Sequence, residues 1–277
     1  MEPVAANEKF IDVEKVIGNK NSRLLKALPK FLVHYLKRII HQDELNGAID
    51  RHKNEMGLPF VNSILGELGA NYEVVGLENI PTSGRFIFAS NHPLGGLDGL
   101  VLINEVGKWN PNIKFVVNDL LLNVKNLEPV FVPVNKHGRQ SVDYAQKIDA
   151  AYRSSDQILY FPAGLCSRKV NGKITDLEWQ KSFIVKAIKY QRDILPVYFE
   201  GRNSNFFYNL ARLRSLLNIK VNIEMLYLVD EMFKQRRKKM RVIFGKPISY
   251  TQFDASKTPS EWAFFVRNYV YAMNDKL

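Results

Sequence analysis

Cysteine is almost absent from this chain: Cys166 is the only one in 277 residues. A single thiol rules out an intrachain disulfide, which suits a reducing compartment. Long apolar runs are missing as well. No stretch approaches the roughly 18 uncharged apolar residues of a membrane-crossing helix, so the chain reads as soluble or lying on a membrane. The opening residues, MEPVAANEKFIDVEK, are acidic and lack a continuous apolar core, and no signal peptide is expected. No internal repeat or low-complexity linker interrupts the sequence. Two catalytic signatures are also missing. There is no G-x-S-x-G elbow, which counts against an α/β-hydrolase, and PLGGLDG lacks the Lys-Ser/Thr ending of a phosphate loop.

What is present is apolar mass and positive charge. Hydrophobic residues make up 46% of the chain, enough for a sizeable core. Lys and Arg number 39 against 28 Asp and Glu, a formal charge of +11. That balance favours anionic partners: lipid headgroups, nucleic acid or an acidic carrier protein. The densest basic run, KQRRKKMR at 234–241, comes without a nucleic-acid motif or a base-stacking aromatic pattern, so nucleic acid is the weakest of the three.

The first seventy residues read as helices. Residues 22–42 are apolar with regularly spaced Lys26, Lys30, Lys37 and Arg38, and Pro29 starts a second helical piece. Residues 43–56 form a polar helix stopped by Gly57, and Pro59 opens another that ends near Gly69. Then the pattern changes. β-rich runs occur at 71–76, 85–90, 113–118, 129–134, 157–162, 193–199 and 240–244, with helical segments at 98–107, 139–153, 178–191 and 206–217. Alternation of this kind predicts an α/β fold, a central mostly parallel or mixed sheet flanked by helices on both faces. The expected division is an N-terminal helical subdomain over 1–70 and an α/β catalytic domain over 71–277. TPSEWAFF announces a last helix, with Thr258 as cap, Pro259 in the first turn and Glu261 closing a capping box.

The stretch FIFASNHPLGGLDGL, residues 86–100, puts His92 and Asp98 just beyond a buried strand. Ligands of open α/β sheets bind at that end of the strands. Gly95 and Gly96 let the chain fold back, so Asp98 can meet the imidazole. An aspartate on Nδ1–H would fix the tautomer and leave Nε2 to take a proton. A second reading stays open: Asp98 caps the following helix and His92 bonds only backbone. Two further strand ends carry small, polar and basic groups, at LYFPAGLCSRK with Gly164, Ser167, Arg168 and Lys169, and at ILPVYFEGRNSNFF with Gly201, Arg202, Asn203 and Ser204.

Four blocks in this order resemble the glycerolipid acyltransferase superfamily, the lysophosphatidate acyltransferase-like enzymes, over about residues 70–250. NHPLGGLD resembles the His-and-Asp block, PVFVPVNKHGR the second with Arg139 at its end, FPAGLCS the third and ILPVYFEG the fourth. The resemblance implies transfer of a fatty acyl group from a thioester of acyl carrier protein or coenzyme A to a hydroxyl. It implies no metal or prosthetic group and no covalent acyl-enzyme. His92 would be the general base and Asp98 its partner. Asn91, Arg139, Ser167 and Arg168 are the expected binding residues, with backbone amides of Gly95, Gly96 or Gly164 as oxyanion donors.

Departures from the family pattern narrow the acceptor. Five residues separate His92 from Asp98 where the wider family has four. Ala163 and Cys166 stand where its third block, F-P-E-G-T-R-S, carries Glu and Arg. Asn-His-Pro with Gly-Gly resembles a bacterial, hemolysin-like subgroup that includes O-acyltransferases of amino-acid lipids. The resemblance therefore implies a lyso-amino-acid lipid of glycine or ornithine type, acylated on its 3-hydroxyl in membrane lipid biosynthesis. The rivals are a 1-acylglycerol-3-phosphate acyltransferase, a thioester or lipid hydrolase, and a non-catalytic peripheral lipid-binding protein. The expected placement is peripheral, on the cytoplasmic side of the inner membrane, against an anionic surface that the basic face of 22–42 would meet. Cys166 reads as a packing residue, because its neighbours offer no thiol-enzyme pattern. His34 and His41 lack a completed ligand set, and His137 is a weak candidate for the acceptor pocket.

Overall fold

Phe86–Ser90 is apolar toward both of its sides, and it forms β2, a strand buried along its whole length. Such a run needs cover above and below, and the chain supplies it. The structure is a computed structural model that describes residues 10–20, 22–118, 124–134, 142–236 and 238–274. The helices α1 (Val13–Lys20), α2 (Ser22–Ala27), α3 (Lys30–Ile39), α4 (Gln42–Arg51) and α5 (Leu58–Glu67) precede β1 (Asn71–Val75). After β2 come α6 (Gly96–Trp109), β3 (Ile113–Asn118), β4 (Phe131–Val134), α7 (Val142–Arg153) and β5 (Gln157–Tyr160). The remainder is β6 (Arg168–Val170), β7 (Lys173–Thr175), α8 (Ser182–Tyr190), β8 (Asp193–Glu200), α9 (Asn205–Leu216), α10 (Leu228–Phe233), β9 (Lys239–Phe244) and α11 (Pro259–Ala272).

Seven strands form one sheet in the order β1-β9-β8-β2-β5-β3-β4. β8, β2, β5, β3 and β4 run parallel, while β9 is antiparallel to β8 and parallel to β1. The mostly parallel α/β fold expected from alternation is the fold observed. Side chains alternate between two apolar layers, as a strand period of two requires. Phe86 and Phe88 join the layer under α5 and α6, with Phe60, Val61, Val101 and Leu102. Ile87 and Ala89 join the layer under α7, α8 and α11, with Phe183, Ile184, Ala263 and Val266.

Register decides where the site lies. Ala89 pairs with Tyr160 of β5, and Ser90 pairs with Val197 of β8. Three parallel strands therefore end side by side, and the loops after them emerge at one edge of the sheet. Arg139 and His137 follow β4 and lie outside the described residues.

The structure departs from the predicted elements in three places. The helix expected to reach residue 56 stops at Arg51, where the Asn126 amide donates to the carbonyls of His52, Lys53 and Glu55. The helix expected from 178 begins at Ser182, because Trp179 and Gln180 are held by Asp176 and by the Pro162 carbonyl. The polar segment after Ser167 is the β6–β7 hairpin, turned by Asn171 and Gly172, both at positive φ. The basic run 234–241 is largely spent on internal pairs: Lys234 on Asp230 and Glu231, Arg236 on Glu44, Lys239 on Glu73 and Arg241 on Glu200. Among the described residues no helix is long and apolar enough to cross a membrane.

One buried cation closes the second layer. Arg192 is fully buried, and its guanidinium donates to the carbonyls of Tyr152, Ser154 and Asp156 at 2.9, 2.6 and 2.7 Å. These are the end of α7 and the turn beyond it, where carbonyls lack helical partners and a cation complements the dipole. Arg192→Leu removes the donor from three carbonyls, that of Tyr152 buried and those of Ser154 and Asp156 partly so. It is expected to lower unfolding free energy by about 3 kcal/mol or more, measured as a shift of the urea midpoint at unchanged slope.

Candidate active site

At the end of β2, Asn91 continues the strand through its side chain. Its Nδ2 donates to the Phe199 carbonyl at 2.9 Å, and its Oδ1 accepts from the Phe199 amide at 2.7 Å. This locks the ends of β2 and β8 together and places the next residue, His92, at the mouth between them. The His92 ring stacks on Phe161, with centroids 4.0 Å apart and planes inclined by 17°. Its Nδ1 lies 3.1 Å from Asp98 Oδ2, while Nε2 has no hydrogen-bond partner among the described residues. The imidazole keeps 17% of its side-chain surface open, and the carboxylate keeps none.

Asp98 is the third residue of α6, and its Oδ2 also accepts from the amides of Leu94 and Gly95 at 2.8 and 3.2 Å. Asp98 does cap the helix, but the same oxygen also meets the imidazole, so His92 does not bond backbone alone. Burial pushes the Asp98 carboxyl up, opposed by the His92 ring and by those two amides. Gly95 makes the turn feasible. Its φ is +82°, and a Cβ there would stand 3.2 Å from Leu228. Gly96 is less constrained, since its Cβ would meet Met232 at an ordinary 3.7 Å.

The His92 backbone is clamped from behind. Its amide donates to Asp176 Oδ1 at 3.2 Å, and its carbonyl accepts from the Ser167 amide at 2.8 Å. Ser167 Oγ donates to the same Asp176 oxygen at 2.6 Å, and Trp179 Nε1 donates to the other at 2.9 Å. The hairpin explains the meeting: Arg168 pairs with Thr175, which leaves Ser167 and Asp176 facing each other at its base. Asp176 escaped the sequence reading, although the Asn171-Gly172 turn between two β-rich triplets was a usable signal.

A cap covers the third side. Asn203, past the end of β8, donates from Nδ2 to the Pro93 carbonyl at 3.1 Å. Ser204 caps α9 and is itself held by buried Glu231 through Oγ at 2.6 Å. Beneath α9, Glu224 is fully buried between Arg168 Nη2 at 2.9 Å and Arg214 Nε at 3.0 Å. The second contact is close enough for an ion pair but not aligned as a hydrogen bond.

A family model described as an acyltransferase matches residues 15–277. The chain belongs to this acyltransferase family. It is 50% identical over 265 residues to a lyso-glycine lipid O-acyltransferase of Bacteroides thetaiotaomicron, covering 95% of this chain and 97% of that one. It is 48% identical over 265 residues to the lyso-glycine lipid O-acyltransferase of Phocaeicola vulgatus, covering 95% of each. Among solved structures it resembles the 1-acyl-sn-glycerophosphate acyltransferase of Thermotoga maritima, with a TM-score of 0.48, 16% identity, and coverage of 97% and 94%.

In this acyltransferase, His92, Asp98, Asn91, Gly95, Gly96, Ser167 and Arg168 gather around the loop after β2, and Arg139 falls outside the described residues. Several of them are already engaged. Asn91 holds the Phe199 backbone, Ser167 holds the Asp176 carboxylate, and Arg168 holds Glu224 and the Cys166 carbonyl. The amides of Gly95 and Gly164 donate to Asp98 and to the Phe161 carbonyl, while that of Gly96, first in α6, has no partner among the described residues. Cys166 is fully buried, its thiol pushed up by burial, with Met225 Sδ 3.8 Å away. His41 lies between Asp230 and Glu44, stacked on Phe233.

The double duty of Asp98 separates two substitutions. Asp98→Asn keeps an acceptor for the amides of Leu94 and Gly95 but removes the charge beside the imidazole. Stability should fall by about 1 kcal/mol, with kcat falling about 10²-fold or more. Asp98→Ala uncaps α6 as well and should cost about 2 kcal/mol in addition to activity. Urea unfolding and steady-state kinetics on both variants read the split.

Proposed function

We propose that this acyltransferase moves a fatty acyl group from an acyl carrier protein or coenzyme A thioester to the hydroxyl of a lyso-amino-acid lipid. The acceptor is a lyso-glycine lipid, the class in the names of the two relatives that share half of this sequence. The carrying observation is the His92–Asp98 pair, with Nδ1 held at 3.1 Å and Nε2 open at the carboxyl ends of three parallel strands.

The acceptor 3-hydroxyl gives its proton to His92 Nε2 as its oxygen attacks the thioester carbonyl. The buried carboxylate of Asp98 stabilises the imidazolium so formed. Charge develops on the carbonyl oxygen, and the Gly96 amide, without a partner among the described residues at the positive end of α6, supplies a donor to it in this reading. The tetrahedral intermediate then collapses, the C–S bond breaks, and the imidazolium proton passes to the departing thiolate. An ester and a free thiol result, with no acyl-enzyme. Asn91, Ser167 and Arg168 serve this chemistry by holding the loops that carry it. Because both the acceptor and the product are lipids, the enzyme works as a peripheral protein at a membrane surface.

The test supplies an acyl thioester with lyso-glycine lipid and follows both ester and free fatty acid. Wild type should form the ester, and His92→Ala should lose about 10³-fold or more in kcat/KM. Free fatty acid alone would instead indicate a hydrolase. Neither product, with lipid binding retained, would indicate a binding module. Lysophosphatidate as the preferred acceptor would replace the amino-acid lipid but leave the reaction class standing.

A further inference from the structure

Helix α9 is apolar on two opposite sides, which is unusual for a helix at a protein surface. Phe207, Tyr208 and Ala211 are buried, against Cys166 and Met225 among others. Phe206, Leu210, Leu213 and Leu217 follow at i, i+4, i+7 and i+11, one continuous stripe. Three of these four are exposed, and Leu216 beside them is 69% exposed. The apolar character continues past the helix, where Val221 is 70% exposed.

A second element joins this face. Phe31 and Tyr35 lie four apart on α3, hence on one side of it, and Phe31 is 76% exposed. Tyr35 Oη is 2.8 Å from Tyr227 Oη, and the Phe206 ring meets the Tyr227 ring edge-on at 4.9 Å. The α3 and α9 faces therefore meet at Tyr227. Isolated exposed apolar residues are ordinary, but a contiguous group of this kind marks an interaction surface.

The two chain segments that carry this face are basic, although Glu14 on Lys37 and Asp230 near Tyr227 lie close by. From Lys15 to Gln42 and from Gly201 to Ile223 the chain has no Asp or Glu. Arg23, Lys26, Lys30, Arg38, Arg212 and Lys220 are exposed and form no ion pair among the described residues. By contrast, the 234–241 run is largely neutralised within the fold. Exposed apolar groups bordered by unpaired cations are the features of a segment that sits in a headgroup layer.

We propose that the outer face of α9, the segment after it up to Leu226, and the Phe31–Tyr35 face of α3 form one surface that seats the protein on an anionic bilayer. The inner side of the same cap lies against the motif loop. Leu228 limits the space at Gly95, Met232 borders Gly96, and Asn203, just before α9, holds the Pro93 carbonyl. Docking through α9 thus brings the bilayer to the far side of a single cap from His92. The surface rests on the reading of the acceptor as a lipid, yet it is tested separately, because vesicle binding needs no turnover.

The experiment is flotation of the full chain with phosphatidylcholine vesicles, with or without about one-third phosphatidylglycerol. Wild type and His92→Ala should both float with the anionic vesicles, less so at high salt. The triple variant Leu213→Ser/Leu216→Ser/Leu217→Ser should bind about 100-fold more weakly. Arg212→Gln/Lys220→Gln, which leaves the apolar stripe intact, should bind several-fold more weakly and depend less on salt. Phe264→Ser, an exposed aromatic on α11, should bind as wild type. Circular dichroism checks the fold of each. Equal binding by the triple and charge variants overturns the surface. So does a wild type that makes ester from detergent-dispersed acceptor but floats with no vesicle, and there the acyl-transfer reading survives. A wild-type dimer in sedimentation that the triple variant dissolves would assign the stripe to a second copy and overturn it too.

Discussion

Asp98 Oδ2 receives three donors in a site closed to water: the His92 ring and the amides of Leu94 and Gly95. Each contact constrains a different part of the molecule. The amides set where α6 begins, the ring contact sets how the imidazole faces, and together they fix the shape of the five residues between. A carboxylate without solvent is stable as a charge only when hydrogen bonds replace the water it has lost. The loop therefore cannot relax without taking donors from Oδ2, while Oδ1 is already buried without a partner among the described residues. Gly95 at positive φ beneath Leu228 is the local consequence.

The scaffold repeats this logic outward. The His92 amide and carbonyl are each taken by a partner from the hairpin segment, and the Pro93 carbonyl by Asn203. The Asn91 amide bridges β2 to β8 where the strands end. Loops from three adjacent strands are thereby tied by buried hydrogen bonds rather than by apolar packing alone. Directional bonds suit this task, because they fix a side chain's orientation more narrowly than apolar packing does. Asn91, Ser167 and Arg168, expected as binding residues, each take part in such intramolecular bonds.

Charge is distributed by the fold in a way composition cannot express. The excess of +11 includes a conspicuous basic run whose members are mostly paired with Glu44, Glu73, Glu200, Asp230 and Glu231. Unpaired cations on α2, α3 and the α9 region lie beside exposed Phe and Leu side chains, and others, such as Lys169, Lys173 and Lys246, are exposed elsewhere. Arg168 and Arg214 are turned inward on Glu224, where they hold the cap instead of facing an anion. Density of charge along the chain and availability of charge at the surface are different quantities.

The amino-acid sequence alone determined the alternation of strands and helices, the Thr258–Glu261 cap of α11 and the pairing of His92 with Asp98 across a glycine turn. These are encoded within a few residues, through periodicity, capping and turn chemistry. The Asn171-Gly172 hairpin was equally local, but it was not among the predicted elements. Asp176 behind His92 and Asn203 over Pro93 were not local, since they lie 84 and 110 positions from the residues they bond. Only the register of β5, β2 and β8 brings their loops to one edge of the sheet, and only packing decides which arginines turn inward. Local patterns fix the elements, whereas a buried hydrogen bond exists only once the sheet has set which distant groups share a place without water.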